Sequence, residues 1–168
     1  MVSFLHGTLQ LFLSLHQMIT VDQYCIRPVS HEEYIILVIS CGYFSYDFLA
    51  MAWFGLLDFD MTVHHLLCIS GMAITLVLGE GANYIVMGLF IAEVSNPAMH
   101  SRVMLKFLGL RYSRSYEVIE ILYFTSFFWG RLVMGFPVTY NTASCSEMNL
   151  LARLLSVVFY VLTCHLFF

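Results

Sequence analysis

Charge is what this chain has least of. Lys, Arg, Asp and Glu supply 11% of its 168 residues, against about 25% in an ordinary globular domain. So few charges cannot coat a soluble surface, and no polar stretch is long enough to fold as a domain outside a membrane. A net charge of −4 with a single short basic segment leaves nothing to attract nucleic acid. Cys-x-x-Cys is absent, and Cys25, Cys41, Cys68, Cys145 and Cys164 are odd in number and scattered. Neither a disulfide framework nor a zinc site is therefore expected, and Cys41, Cys68 and Cys164 read as small apolar fillers of helix contacts. His-Glu-x-x-His is missing too, so no metal is expected, and no motif implies a cofactor. The first apolar run lacks a small-residue cleavage site and reads as a span in its own right rather than a leader.

What is present is hydrocarbon. The chain is 60% hydrophobic with a mean hydropathy of +0.83, more apolar surface than one small core can hide. A bilayer core of about 30 Å needs about 20 apolar residues per helix, and six stretches fit, near 2–20, 34–57, 62–79, 82–100, 115–136 and 148–168. The third is the shortest in clean apolar length, because Glu80 closes it early. The runs are continuous and lack period-2 alternation, so they are predicted to be helices rather than barrel strands. The connections carry breakers or charges: Asp22 to Glu33, Asp58 to Asp60, Glu80-Gly81, Arg102 to Arg114, and Phe136 to Glu147. The expected fold is all-α, a single polytopic membrane domain over residues 1–168.

Arg102, Lys106, Arg111 and Arg114, four of the seven basic residues, crowd the connection between the fourth and fifth spans. The positive-inside rule assigns that face to the cytosol or its organellar equivalent. Both termini and the segment around Asp58 then share it. The same cluster could also hold anionic headgroups.

Burying an ionisable group in hydrocarbon costs several kcal/mol, about 2.5 to 3.5 on insertion scales, so charges inside spans are site candidates. Asp47 lies well inside the second span, with Tyr43 and Met51 at helical spacing. A carboxylate there must be protonated, pair with a cation, or line a wet cavity. His64 and His65 open the third span and point about 100° apart; one is expected to face the interior and the other the interface. Glu93 precedes Ser95, Asn96 and Pro97, and the donor missing from Pro97 predicts a kink that turns Glu93 toward a cavity. Arg131 lies deep in the fifth span and needs a counter-ion, for which Glu93, Glu120 or Asp47 would serve, whether the pair is structural or functional.

The ordered set of these pieces resembles the TLC domain, shared by ceramide synthases, translocating-chain-associated membrane proteins and small TLC-domain proteins. The matching pieces are Val2-Ser3-Phe4-Leu5-His6, Gly42-Tyr43-Phe44 with Tyr46-Asp47, and His64-His65. They are followed by Glu93 with Ser95 and Pro97, then Arg102, then Phe127-Phe128 with Arg131. The resemblance implies about six helices around a central, lipid-accessible cavity. In ceramide synthases the paired histidines are followed by a His-Asp-x-Ser-Asp run whose carboxylates go with catalysis. Here that stretch corresponds to Ala92-Glu93-Val94-Ser95-Asn96, and an amide cannot act as the base that acyl transfer requires. The pattern is closer to the small non-synthase members.

The expected function is a membrane protein that binds lipid or influences membrane lipid composition without catalysis of its own. Asp47, His65, Glu93, Asn96 and Arg131 are its expected ligand-binding groups. The alternatives are a lipid N-acyltransferase, with His64, His65 and Glu93 as catalytic candidates, and an accessory subunit of a large membrane complex. Membrane lipids, and for the third reading other membrane-protein subunits, are the partners. The endoplasmic reticulum or another endomembrane is the expected location, with the mitochondrial inner membrane as alternative.

Overall fold

A computed structural model describes residues 2–20 and 25–166. Asp22, at the start of the first expected connection, and Phe167 and Phe168, at the end of the sixth expected span, lie outside the described residues. Among the described residues the fold is all-α. The elements are α1 (Val2–Thr20), α2 (His31–Trp53), α3 (Phe59–Leu78), α4 (Ala82–Glu93), α5 (Asn96–Phe107), α6 (Arg114–Phe127), a π-helical segment (Phe128–Met134), α7 (Gly135–Ser144) and α8 (Leu150–His165). Breaks at Val94-Ser95 and at the π segment do not end their rods, so six rods correspond to the six expected spans. Three stretches, His31–Trp53, Phe59–Leu78 and Arg114–Ser144, are long and apolar enough to cross a membrane by length and composition.

Local chemistry sets the rod ends. Ser30 accepts from the Glu33 amide while the Glu33 carboxylate accepts from the Ser30 amide, a reciprocal cap that satisfies two orphan donors of α2. Asp58 caps α3 through the Met61 amide at 2.8 Å, and Ser113 and Asn149 do the same for α6 and α8. Gly79, at φ 71°, closes α3 in the left-handed conformation. The fifth rod runs longer than expected, to Ser144 rather than Phe136. Gly135 and Pro137 read as breakers, but the rod passes through both directly after the π-helical segment, where the Leu132 carbonyl accepts from the Tyr160 hydroxyl at 3.0 Å.

The apolar core joins Ile36 and Leu37 of α2, Met72 of α3, and Ala82, Val86 and Leu89 of α4. α1 is turned the other way. His6, Gln10, Ser14 and Gln17 are buried, while Leu5, Phe12 and Ile19 are exposed at 60, 64 and 76%. In hydrocarbon this is the stable arrangement, because lipid solvates the Leu and Phe face and polar side chains must find protein.

The expectation of no disulfide is overturned: Cys25, before α2, is bonded to Cys145, after α7, with Cα atoms 5.9 Å apart across 120 residues of chain. Spacing along a sequence reports on local frameworks, and this bridge is created by tertiary proximity. Cys41, Cys68 and Cys164 are free. Short connections make successive rods antiparallel, so the bridge lies at the end of the bundle opposite the basic α5–α6 connection. At that end the Val29 amide donates to Gly79 O at 2.9 Å and the Gly81 amide to Arg27 O at 3.2 Å, tying the α1–α2 and α3–α4 connections together. Arg27 also forks onto the buried Glu33 carboxylate.

Candidate functional site: a cavity with a polar floor

A cavity of about 490 Å³ lies between the rods. Toward the disulfide end Ile74, Leu78, Ile85 and Leu155 line it beside Thr75, Thr142 and Asn149; its deeper part carries Asp47, His64, His65, Glu93, Asn96 and Arg131. Those six are the residues singled out from the sequence, now brought to one cavity by four rods.

His65 is buried, and both of its ring nitrogens are engaged. Nδ1 donates to the Met61 carbonyl at 2.8 Å, and Nε2 lies 3.1 Å from Asp47 Oδ2. With Nδ1 committed as donor, the second contact needs one proton shared between imidazole and carboxylate. Asp47 thus has its partner in His65. His64 differs from expectation: both histidines line the cavity, their ring centroids 5.6 Å apart. His64 packs against Phe159 and Phe44 and approaches the Cys68 sulfur at 3.8 Å. Adjacent residues diverge on a helix, but the cavity is wide enough to receive both.

Where a kink is expected at Pro97, the helix is interrupted at Val94-Ser95, between α4 and α5. Around it a second network forms. Glu93, 2% exposed, accepts from Asn96 Nδ2 at 2.7 Å. Asn96 Oδ1 in turn accepts from Arg131 Nη2 at 2.9 Å. The same guanidinium donates to Ala92 O at 2.9 Å and, through Nε, to Ser95 Oγ at 3.3 Å, and it lies 5.0 Å from the centre of the Phe127 ring. The expected carboxylate partner for Arg131 is not in direct contact: among the described residues no acidic group lies at ion-pair distance from it, and Glu120 pairs with Arg102 at 3.4 Å. Asn96 is the intermediary. Its amide offers an acceptor to the cation and a donor to the anion, which a carboxylate at that position could not do.

Three cavity residues were missed as site candidates: His6, Tyr43 and His100. The His6 ring stacks on Tyr43 at 3.8 Å and 13°. A signal existed for His6, since it heads a stripe of polar residues at helical spacing, His6, Gln10, Ser14 and Gln17, on an otherwise apolar span. Gly7 beside it has a steric role: a Cβ there would sit 2.6 Å from Glu93 Oε2. α1 can approach the Glu93 carboxylate only because position 7 has no side chain.

Chemically, the floor is a pair of braced networks. Arg131 gives three of its five N–H donors, from Nε and Nη2, to protein acceptors, and among the described residues none accepts from Nη1; His65 has no free ring nitrogen and cannot act on a substrate without first breaking an existing bond. His64, whose contact with Cys68 is long and weak, is the freer imidazole. Compared with known proteins, the chain matches the family model described as TLC domain over residues 1–168. No solved structure matches it.

Proposed function

Because the chain belongs to the TLC-domain family along its whole length, and is a membrane protein by its helices, we propose that it binds a lipid in its cavity and has no catalysis of its own, in the manner of the small non-synthase members. The observation that carries this reading is the form of the cavity. Its volume of about 490 Å³ is within the range of about 300–1,000 Å³ typical of small-molecule sites. The apolar side chains among its walls suit an acyl or alkyl chain, and its floor offers Asp47, Glu93 and Asn96 to a head group. Engagement of both His65 ring nitrogens within the protein argues against acid–base work by that residue.

Lipid extraction and mass spectrometry of protein purified in mild detergent test this. A stoichiometric lipid whose amount falls in Asn96→Leu, with no turnover of acyl thioesters, is the expected result. Acyl transfer that is lost in His64→Ala would sink the binding-only reading in favour of an N-acyltransferase, which the freer imidazole of His64 favours.

For location we propose the endoplasmic reticulum or a related endomembrane. The basic connection and the Cys25–Cys145 bridge lie at opposite ends of the bundle, which suits a reducing cytosol on one side and an oxidising lumen on the other. Protease protection of tagged protein in sealed microsomes tests it: a tag in the α5–α6 connection should be cleaved from outside, and its protection would reverse the orientation.

A further inference from the structure

Three connections meet at the disulfide end of the bundle, and each touches the other two. The α1–α2 connection is joined to the α3–α4 turn by the Val29 and Gly81 amide bonds and an antiparallel bridge between Pro28 and Glu80. The α3–α4 turn lies directly against the α7–α8 connection, since a Cβ on Gly81 would come within 3.1 Å of Met148 Cε. The third edge of the triangle is Cys25–Cys145, which closes the α7–α8 connection back onto the first. Residues within this triangle also line the cavity: Ile26, Glu80, Gly81, Met148 and Asn149.

We propose that residues 25–30, 79–81 and 145–149 of these connections form a lid over this end of the cavity, and that the Cys25–Cys145 bond is its latch, opened by thiol–disulfide exchange. This rests on the lipid-binding reading only for its purpose, since a lid needs something to enclose. Of the three edges, two consist of amide bonds and van der Waals contacts that exchange readily on local opening, and one is covalent. Cys25 is exposed whereas Cys145 is 4% exposed, so a dithiol reaches the bond from the Cys25 side. One thiolate of the dithiol attacks the Cys25 sulfur, and the Cys145 sulfur leaves and takes up a proton. The second thiolate of the reagent then displaces Cys25 and closes its own disulfide. Two electrons and two protons pass from the dithiol to the lid, leaving two cysteine thiols. The α7–α8 connection is then held to the α3–α4 turn only by packing, and the end of the cavity can part.

The cavity contains its own reporter in Cys68, and the apolar core contains a control in Cys41, which packs against the core but does not line the cavity. The full chain is placed in sealed vesicles with a charged methanethiosulfonate applied from the face that carries Cys25. Intact protein, protein treated with a dithiol that is then removed, and Cys25→Ser/Cys145→Ser are compared by peptide mass spectrometry. The lid predicts that Cys68 is labelled more than about ten-fold faster in the second and third cases, with Cys41 unchanged. An unchanged Cys68 rate overturns it, as does a rise at Cys41 in step with Cys68, which would make the bond a staple of the whole bundle. Absence of a co-purifying lipid would defeat the lipid-binding reading while leaving this measurement intact, so the two can fail separately.

Discussion

The two ends of the bundle are built on different principles. At the disulfide end, connections far apart in sequence bond to one another: Val29 to Gly79, Gly81 to Arg27, and Cys25 to Cys145. At the basic end, the α2–α3 and α5–α6 connections bond almost wholly within themselves, as Leu56 does to Met51, Gly109 to Lys106, and Ser113 to Leu110. Among the described residues the side-chain links there include two ion pairs with exposed members, Arg102–Glu120 and His165–Asp60, which contribute little, and cation–π contacts of Arg102 with Tyr123 and Lys106 with Tyr116. Aromatic side chains at that end stand out of the fold, with Phe107 and Tyr112 at 88 and 91% exposure. Non-local bonds must all break together for the rods to part, whereas local ones follow their own rod. While Cys25–Cys145 is intact, the three connections at the disulfide end therefore move as one, whereas each connection at the basic end follows its own rods.

Breaking the comparison outright means removing its covalent half. Cys25→Ser/Cys145→Ser should cost about 2 to 5 kcal/mol, as expected for a bond that closes a long loop. By hydrogen exchange the gain in mobility should be concentrated at residues 25–30, 79–81 and 145–149. An equal gain at residues 108–113 would show that the two ends are one cooperative unit. Next in size is Arg131→Leu, at mid-depth, where the guanidinium satisfies Ala92 O, Asn96 and Ser95. Leaving those acceptors and the nearby Glu93 without it should cost on the order of 3 kcal/mol in detergent denaturation. Little change would mean that the interrupted rod at Val94-Ser95 holds without it.

Gly7→Ala sharpens the contrast from the basic half of α1. The new Cβ must push Glu93 off Asn96, for about 1 to 2 kcal/mol, with a fall in bound lipid; unaltered lipid content would remove Glu93 from the head-group site. The smallest effect runs the other way. Gln10 is fully buried, and neither its Nε2 nor its Oε1 has a partner. Gln10→Met should therefore raise thermal stability by about 1 kcal/mol, because an apolar group of similar shape removes an unsatisfied one. A loss of stability would mean that the polar stripe of α1 is bonded through water.

Much of this architecture was readable before any coordinates. Apolar run lengths located six rods to within a few residues at most ends, because bilayer thickness demands that length whatever the side chains do. Pro97 announced an interruption of its rod through a missing donor, and the residues that line the polar floor stood out because charge in hydrocarbon is costly. Their pairings were not readable. Asp47 and His65 are 18 residues apart on different rods, and Asn96 looked like a lost carboxylate until Arg131 and Glu93 were seen on either side of it. The continuation of the fifth rod past Pro137 follows a π-helical segment, which no local preference signals.

The sequence by itself determined that this chain is a helical membrane protein, where its rods begin and which groups would be forced together away from lipid. These follow from solvation, which acts on each segment separately. The tertiary structure alone decided who pairs with whom, that Cys25 meets Cys145, and that the polar groups of four rods line one cavity. Those outcomes depend on how rods rotate and tilt against each other, and contacts made across the bundle leave no periodic trace along the chain.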